Sequence, residues 1–416
     1  MRTLLVTHYF PPEIGAPQAR LGDLARLWAA EGDEVTVITG MPNHPTGIVP
    51  AAYRGKWRVE ENVDGYRVVR TWLYATPNEG IAKKTLGHLS FMASSVLLGA
   101  RASGPADVVV VSSPTFFSIF AAWALARLKR ASLVVEVRDL WPAIFVELGV
   151  LTDRRIIWLL ERLELWAYRV SDAVVVVSEG FRDDLIRRGV DADKVHTIRN
   201  GVDLGRFQPG GDPSPGRAQL GVAEGEVLVL YIGAHGISQG VAGVAEAAAL
   251  LRDQPVHVAC VGEGSAKGEL EQRVKELELD NVSLHPGVPR NEVAGLLAAA
   301  DICLVPLRDV PLFATFIPSK IFEFFGTGKA VVGAVRGESA EILRGAGAVV
   351  VEPEDPEALA AAIEELAADP ERRSAMGKEA RTYVEQHFDR QRLARRYREV
   401  LDGVLGPRAA RRRAAR

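Results

Sequence analysis

The chain has 416 residues, of which 48% are hydrophobic and 25% are charged, and its formal net charge is -3. This length exceeds what one hydrophobic core usually serves, so we expect two domains of about 200 residues each. The small net charge argues against binding to nucleic acid, because no positive field extends over a whole domain. The two cysteines, Cys260 and Cys303, lie in apolar runs typical of buried strands. They argue against a disulfide framework or a metal cluster and favour a reducing cytoplasm.

The first apolar run, at residues 3–8, is soon followed by two prolines and is too short for a secretory signal peptide. No stretch reaches the roughly 18 apolar residues expected of a membrane-spanning helix. The nearest is residues 85–100, which is flanked by Lys83, Lys84 and Arg101. We interpret it either as a half-buried helix or as an interfacial helix whose basic flanks contact lipid headgroups.

Short β-branched runs alternate with helical patterns through the first half of the chain. The runs are almost continuously apolar, which is typical of parallel strands buried on both faces. Helical patterns at residues 17–32 and 155–170 lie between strands, so the alternation predicts right-handed crossovers and a doubly wound α/β sheet. The predicted strands are residues 3–8, 34–39, 66–72, 107–113, 132–138 and 173–179.

Residues 201–222 interrupt this rhythm with glycine, proline and aspartate, which predicts a linker. The alternation then restarts, so we expect a second Rossmann-like domain over residues 223–387. Two such domains would face a cleft, with ligands at the carboxyl ends of their strands. The predicted strands of this half are residues 226–233, 256–262, 282–287, 302–307, 330–335 and 348–353.

Three helical patterns end the chain, and each begins with an aspartate able to cap its first turn. They are residues 355–368, 369–388 and 389–405. Residues 406–416 form a basic tail. We interpret the tail either as a solvated, disordered end or as a weak anchor to anionic lipid.

Several residues at predicted strand ends of the first half are candidate ligand contacts. Gly15 lies between a strand and a helix, where glycine lets the backbone approach a ligand and free N–H groups favour an anion. Arg138 and Asp139 follow a buried strand, at the edge of the sheet where ligands bind, although a structural ion pair is the alternative. Arg199 lies at the domain boundary, as a hinge residue or as a phosphate contact.

The second half repeats the design of a strand, glycines and a helix at residues 231–240. Gly233 and Gly236 again allow an anion near backbone N–H groups, and His235 is predicted to be a neutral donor. Gly262 ends the next predicted strand on the same side of the sheet. Neither half contains a G-x-G-x-x-G fingerprint at these turns, so a dinucleotide is not indicated.

The segment FIPSKIFEFFGTGK, residues 316–329, predicts a helix that starts near Pro318. Lys320 and Glu323 are three residues apart and therefore share one face of that helix. A lysine at a helix start is unfavourable for the helix dipole unless an anion is close. The pair fits a nucleoside diphosphate, with the cation at the pyrophosphate and the carboxylate at the ribose hydroxyls. A surface ion pair is the alternative.

In their order along the chain, these motifs resemble those of retaining glycosyltransferases of family 4, which have the GT-B fold. The resemblance covers nearly the full length and rests on HYFPPEIGAPQARLGDLA, EVRDLWP, SEG, IRNGVD, YIGAHGISQGV, VGEG and PSKIFEFFGTGKAVV. Within the family, RDLWP, GISQG and PSKIFEF most resemble the L-fucosamine-transferase-like branch of surface polysaccharide assembly.

The resemblance implies an acceptor domain at residues 1–200 and a nucleotide-sugar donor domain at residues 223–387. It also implies that a helix near residues 388–405 returns to the first domain. The GT-B fold therefore predicts two doubly wound domains that face a cleft.

The resemblance also implies roles for individual residues. Glu323 matches the second glutamate of the family's E-x7-E motif and would hold the donor ribose. Gly15 would meet the donor phosphates, and Lys320 would balance the charge of the pyrophosphate. Asp139 matches the acidic position of the family's His-Asp dipeptide near the acceptor.

This sequence departs from the family pattern at several of these positions. The first glutamate of E-x7-E falls on Thr315, and the family's phosphate-binding cations fall on Ala234 and Gln239. Arg138 stands at the usual histidine position. Thr315 and Ser319 remain predicted contacts of the donor. Lys320 is predicted to be the main residue that neutralises the charge of the donor phosphates.

The implied reaction moves a sugar from a UDP-sugar to an acceptor hydroxyl with retention at the anomeric carbon. We expect an N-acetylated amino sugar, such as N-acetylfucosamine, and a lipid-linked glycan as acceptor, with Lys320, Asp139 and Arg138 in the reaction. No Asp-x-Asp cluster occurs where a metal-dependent transferase would keep one, so neither a metal nor a cofactor is expected. The expected location is the cytoplasm, and peripheral attachment to the inner face of the plasma membrane is left open as an alternative.

Other functions remain open at this point. A UDP-sugar 2-epimerase of the same fold would release UDP without an acceptor. A non-catalytic sugar-binding protein would be expected to carry an export signal. A nicotinamide enzyme is disfavoured because the dinucleotide fingerprint is absent, and likeness of fold alone decides none of these.

Overall fold

The structure of the protein is a computed structural model. It describes residues 1–13, 15–44, 46–77, 80–113 and 115–414, without the side chains of residues 16, 81 and 407–414. The chain forms two compact units: the first contains Met1–Arg199 and Gln391–Arg416, and the second contains Asn200–Arg390. Each unit has its own sheet.

In its described residues, the first unit is built on one sheet of eight strands. The strands are β1 (Arg2–Val6), β2 (Glu34–Gly40), β3 (Arg58–Val63), β4 (Tyr66–Thr71), β5 (Val108–Ser112), β6 (Ser132–Val137), β7 (Ala173–Val176) and β8 (Val195–Thr197). Their order is β3-β4-β2-β1-β5-β6-β7-β8, and only β3 and β4 pair antiparallel. The order reverses between β1 and β5, as it does in a doubly wound sheet. The predicted α/β class is confirmed.

Helices cover this sheet. They are α1 (Ala16–Ala30), α2 (Ile81–Leu97), α3 (Gly99–Ala102), α4 (Phe116–Lys129), α5 (Ala143–Glu147), α6 (Arg154–Val170) and α7 (Glu179–Arg187). The helical patterns at residues 17–32 and 155–170 form α1 and α6. The apolar run at residues 85–100 lies mainly in α2, which packs against α4 and is half-buried. Among the described residues, no helix is both long enough and apolar enough to cross a bilayer.

The second unit is built on a six-stranded sheet. The strands are β9 (Val227–Ile232), β10 (Val256–Val261), β11 (Val282–His285), β12 (Ile302–Pro306), β13 (Ala330–Ala334) and β14 (Val349–Val351). All neighbours are parallel, in the order β11-β10-β9-β12-β13-β14. The carboxyl ends of the six strands therefore lie at one edge of the sheet, and all six correspond to predicted strands.

The helices of the second unit pack on both faces of its sheet. They are α8 (Ser214–Leu220), α9 (Ala242–Leu250), α10 (Lys267–Glu276), α11 (Arg290–Ala299), α12 (Lys320–Gly326), α13 (Glu338–Gly345), α14 (Pro356–Ala368) and α15 (Pro370–His387). The aspartates predicted as caps act as such at α14 and α15. Asp355 accepts from the Ala358 N–H at 2.9 Å, and Asp369 accepts from the Arg372 N–H at 2.8 Å.

Two strands of the first unit were not predicted. Strand β3 has the sequence RVEENV and lies mostly exposed at the edge of the sheet. An edge strand needs no continuous apolar run, because one side and much of its surface face water. Strand β8 has only three residues and lies at the other edge.

The predicted linker at residues 201–222 is wrong, since this segment belongs to the second unit. Val202 and Phe207 are fully buried in its core, and α8 packs on α11. The Val202 N–H also donates to the Phe388 carbonyl at 3.0 Å. Glycine and proline determine the backbone turns of this segment, while isolated apolar residues such as Phe207 pack in the core of the second unit.

The last helix, α16 (Arg390–Ala414), returns to the first unit, as predicted from the GT-B fold. The Trp28 indole N–H donates to the Ala394 carbonyl at 3.0 Å, and the fully buried Tyr397 ring lies edge-on to Trp28 at 5.3 Å between centroids. The helix continues past residue 405, so the predicted basic tail is helical as far as Ala414. Residues 415 and 416 lie outside the described residues.

Replacing Tyr397 by alanine is expected to destabilise the first unit by about 3–5 kcal/mol, because it leaves a cavity beside Trp28. All seven tryptophans precede residue 167, so urea unfolding followed by tryptophan fluorescence reports on this unit. Arg395→Ala removes an exposed ion pair to Glu31 from the same helix and should cost less than about 1 kcal/mol. Equal effects of the two substitutions would contradict the packing described for α16.

Candidate active site

The predicted ligand loops of the second unit lie together at the carboxyl ends of β9, β10 and β11. The Gly233 N–H donates to the Val261 carbonyl at 2.9 Å, and the Gly262 N–H donates to the His285 carbonyl at 3.2 Å. The His235 N–H donates to the Glu263 carbonyl at 2.9 Å. Backbone hydrogen bonds thus join three strand ends into one surface, which we call the donor loops (residues 233–240, 262–264 and 285–287).

Glycine is required at two of these positions. Gly262 has a φ of +156°, and a Cβ there would lie 1.9 Å from the Gly233 carbonyl oxygen. Gly233 has a φ of +140°, and its Cβ would lie 2.9 Å from Nζ of Lys320. Gly236 is different, since its φ of -84° suits any residue and the atom nearest to an added Cβ lies 4.0 Å away. Its predicted role in anion binding has no conformational support.

His235 is fully buried beneath the donor loops. Burial, and after it the nearby Lys320 ammonium, lowers its pKa to about 4. The imidazole is therefore neutral at physiological pH. Neither ring nitrogen finds a hydrogen-bond partner within the described part of the chain.

Lys320 is the first residue of α12, and its ammonium reaches into the donor loops. Nζ lies 3.8 Å from the centre of the Tyr231 ring and donates to Oε1 of Gln239 at 3.3 Å. Gln239 stands where the resemblance places a phosphate-binding cation, so Lys320 brings a positive charge to that neighbourhood. Burial lowers the pKa of Lys320 to about 7, although Glu323 acts in the opposite direction.

Glu323 lies one turn further along α12 and is half-buried. Burial raises the pKa of its carboxyl group, and the arginines at 390 and 290 oppose this increase. The described residues include no ion pair between Glu323 and Lys320 within 4.0 Å. The alternative reading of the two as a surface ion pair is therefore not what the structure shows.

Two other predicted donor contacts flank the start of α12. Ser319 occupies the N-cap position, and its side chain makes no capping hydrogen bond with the described residues. Thr315, at the position of the first family glutamate, donates its hydroxyl hydrogen to the Leu312 carbonyl at 2.7 Å. The Thr315 hydroxyl is thus engaged within its own turn.

In the first unit, Arg138 and Asp139 follow β6, as predicted. The Arg138 N–H donates to the Ser113 hydroxyl at 3.0 Å. Burial raises the pKa of the Asp139 carboxyl, and the Arg138 guanidinium opposes the increase. Both residues lie at the carboxyl edge of the first sheet, where a ligand would be expected.

Gly15 and Arg199 also lie in the first unit. Gly15 precedes α1 with an extended φ of 163°, and an added Cβ would meet Oε1 of Gln18 at 2.3 Å. The neighbouring residue 14 lies outside the described residues. The Arg199 guanidinium lies 3.9 Å from the Glu179 carboxylate, an ion pair with a partner of its own unit.

A buried ion pair supports this edge of the first sheet. Nε of Arg20 donates to the Glu136 carboxylate at 2.8 Å, and both side chains are almost completely buried. Burial would raise the pKa of Glu136, but Arg20 and Arg138 outweigh it and hold the pKa below its ordinary value. The Arg20 guanidinium also donates to the carbonyls of Ile198 and Arg199.

A group of histidines at the same edge was not predicted. The ring centroid of the buried His8 lies 4.7 Å from that of His88 and 4.4 Å from that of Tyr9. His44 lies 5.2 Å from Tyr9. We call these four residues the histidine cluster. Burial lowers the pKa of His8 well below its ordinary value, and His88 and His44 lower it further.

Glu13 ties the loops beneath this cluster together. Its carboxylate accepts from the backbone N–H groups of Phe10, Asn43 and His44 at 2.8–3.0 Å. The sequence signal was present, because His8 and His44 both follow apolar runs that form adjacent parallel strands. In the described part of the chain, no three His, Cys, Asp or Glu side chains converge as metal ligands.

Family models match both units. A glycosyl transferase 4-like domain matches residues 15–201, and a glycosyl transferases group 1 domain matches residues 215–383. Two such domains, each on its own doubly wound sheet, define a glycosyltransferase of the GT-B fold. Together the matches cover most of the chain, which belongs to the family 4 GT-B glycosyltransferases, as its motifs predicted.

Individual relatives agree with this assignment. Over 408 residues the chain is 29% identical to WcaI of Escherichia coli (strain K12), a candidate colanic acid biosynthesis glycosyl transferase, and the match covers 95% of this chain and 98% of WcaI. Sucrose-phosphate synthase of Thermosynechococcus elongatus shares the fold with a TM-score of 0.74 at 20% identity, over 98% of this chain and 100% of that one. HepE of Anabaena, solved with UDP and glucose, has a TM-score of 0.73 at 21% identity, over 97% and 99% of the two chains.

Replacing Gly262 by alanine is expected to destabilise the second unit by at least about 1–3 kcal/mol, because the residue would keep a strained φ and collide with the Gly233 carbonyl. Gly268→Ala is the matched control, since Gly268 lies in α10 with open space around it. This control should be neutral or stabilising by about 0.5–1 kcal/mol. Thermal unfolding measures both, and equal melting temperatures would contradict the close approach described for Gly262.

Proposed function

We propose that the protein transfers a sugar from a UDP-sugar to a hydroxyl of a glycan acceptor, with retention at the anomeric carbon. The observation that carries the proposal is the Lys320 ammonium. It lies half-buried in the donor loops beside an uncharged amide, in the domain that the group 1 family model matches. A cation held in this way stabilises an anion that develops nearby, such as a departing diphosphate.

The donor nucleotide is proposed to bind the second unit. The diphosphate lies near Lys320 and the donor loops, where Gly233 has no side chain that would crowd Nζ. Glu323 accepts hydrogen bonds from the ribose hydroxyls. The neutral His235 offers a ring N–H to a phosphate or sugar oxygen, which would give its buried nitrogens a partner.

The acceptor is proposed to bind the first unit at the carboxyl edge of its sheet. Asp139 and Arg138 orient the attacking hydroxyl, and the histidine cluster adds neutral imidazoles and a phenol that suit a sugar. The hydroxyl attacks the anomeric carbon from the face that the diphosphate leaves, and a departing phosphate oxygen takes its proton. Positioning and charge stabilisation then supply the catalysis.

The remaining parts of the proposal concern the substrates. An N-acetylated amino sugar, such as N-acetylfucosamine, and a lipid-linked glycan acceptor fit the motifs RDLWP, GISQG and PSKIFEF and the likeness to a candidate colanic acid biosynthesis glycosyl transferase. Since Lys320 supplies the positive charge at the diphosphate, the proposal needs no metal, and turnover should persist in EDTA.

Replacing Lys320 by alanine is expected to lower kcat by about 100- to 1,000-fold, since the charge that stabilises the leaving diphosphate is lost. Lys275→Ala, an exposed lysine of α10 in the same unit, should retain normal turnover. The assay measures UDP release from a panel of UDP-sugars with and without acceptor. Near-normal turnover of Lys320→Ala would refute its role, and UDP release that needs no acceptor would favour the epimerase.

Binding of UDP is expected to take up nearly one proton at about pH 8.5, because Lys320 with a pKa of about 7 is mostly neutral there in the free protein. An adjacent diphosphate raises the pKa of the lysine and so protonates it. The affinity should therefore fall as the pH rises above about 7. Calorimetry in buffers of different ionisation enthalpy measures the uptake.

Lys320→Met removes the titrating group and should abolish the proton uptake. The Lys275→Ala variant should keep it. Proton uptake that is unchanged in Lys320→Met would show that another group titrates on binding.

A further inference from the structure

Helix α6 presents a broad exposed face that the proposed chemistry does not use. Trp158 is 57% exposed, Leu159 is 50% exposed and Ile156 is 48% exposed. Contiguous exposure of large apolar side chains marks an interaction surface rather than an ordinary soluble face. All residues of α6 are described by the structure.

The same face carries positive charge. At about 100° per residue, Trp158, Arg162, Arg155, Trp166, Leu159 and Ile156 fall within an arc of about 160°, which also contains Arg169, Val170 and Leu163. We call the first six of these residues the α6 face. No aspartate or glutamate of α6, which is described throughout, falls within this arc. Glu161 lies outside it, and Glu164 lies on the buried side, paired with Arg188.

The α6 face continues onto helix α4. The Trp166 ring stacks on Phe120 at 5.7 Å and lies edge-on to Trp123 at 5.5 Å between centroids. The Arg127 guanidinium lies over Trp123 at 5.7 Å, and the next residue, Leu128, is 66% exposed. Tryptophan, leucine and arginine thus extend over two adjacent helices.

This composition is complementary to one kind of partner. Tryptophan and leucine insert at the boundary between lipid headgroups and acyl chains, while arginines pair with the phosphates above them. The Arg162 guanidinium, which lies 4.8 Å from the Trp158 ring, already pairs a cation with an apolar group in this way. A second copy of the chain fits less well, because a two-fold pairing of the face would bring arginines together.

We propose that the α6 face is a docking surface for a membrane that contains anionic phospholipid. Trp158 and Leu159 insert at the headgroup level, and Arg155 and Arg162 contact lipid phosphates. The proposal differs from the interfacial helix that the sequence suggested at residues 85–100. That helix, α2, exposes Leu86 and Leu97 but has no tryptophan or arginine between them.

The test is co-sedimentation of the full-length protein with vesicles of phosphatidylcholine alone or mixed with an equal amount of phosphatidylglycerol, in the absence of any substrate. The wild-type protein should bind the anionic vesicles at least about tenfold more tightly than the neutral ones and should lose binding in high salt. Because no substrate is present, the result is independent of the proposed reaction.

Two separate variants address the charge and the apolar part. Arg155→Glu with Arg162→Glu should weaken binding by at least about 30-fold, since each cation near an anionic surface contributes about fivefold. Trp158→Ser with Leu159→Ser should weaken it by at least about tenfold. All four side chains are exposed, and circular dichroism checks that each variant remains folded.

Matched controls reverse exposed charges or remove an exposed leucine in the second unit. Lys275→Glu with Arg344→Glu reverses two exposed charges of the second unit, and Leu250→Ser removes a leucine that is 56% exposed. Both controls should bind as the wild type does. Leu86→Ser with Leu97→Ser tests α2 directly and should also retain binding.

Failure of the wild-type protein to bind anionic vesicles would overturn the proposal, as would normal binding by both α6 variants. Loss of binding in the α2 variant alone would move the contact to that helix. A wild-type dimer in size-exclusion chromatography that dissociates in the α6 variants, without vesicle binding, would assign the face to a second copy instead.

Discussion

The Lys320 ammonium is the charge on which the donor loops depend. It is half-buried over the Tyr231 ring, and Gln239, its hydrogen-bond partner among the described residues, is uncharged. A cation that is partly removed from water and has no carboxylate in ion-pair contact among the described residues is costly to keep charged. Burial therefore lowers its pKa to about 7, although Glu323 opposes the shift. Gly233 carries no side chain, and a Cβ there would lie 2.9 Å from Nζ. A bound anion rather than a protein carboxylate can therefore relieve that cost.

The buried charge of the first unit, on Glu136, has a counter-ion within the protein, unlike the charge on Lys320. The Glu136 carboxylate is paired with the Arg20 guanidinium at 2.8 Å. The same guanidinium also donates hydrogen bonds to the carbonyls of Ile198 and Arg199. The charge of this pair is neutralised within the protein, although Oε2 of Glu136 has no hydrogen-bond partner among the described residues. The contrast separates a structural charge, which has a counter-ion in the protein, from a charge such as that of Lys320, which is suited to binding an anion.

Much of the fold could be read from the sequence, because parallel strands buried on both faces appear as continuous apolar runs. The same rule missed β3, because its polar residues lie at an exposed edge of the sheet. It also predicted a linker at residues 201–222, because single buried residues such as Phe207 give no periodic apolar pattern. Lys320 and Glu323 were predictable because one helix turn sets their spacing. The histidine cluster was predictable only in part: His8 and His44 follow adjacent parallel strands, but nothing in the sequence places His88, from a third segment, beside them.

The return of α16 makes the first unit discontinuous in sequence, with the whole second unit inserted between its parts. Trp28 and Tyr397 meet only after the last helix has been made. During synthesis the first unit emerges early but must wait for about 200 further residues, on the order of 10–40 s at bacterial and eukaryotic ribosome speeds. The half of the chain that is translated first is therefore the last to complete its core. Until α16 has been made, the surface around Trp28 is exposed and accessible to chaperones.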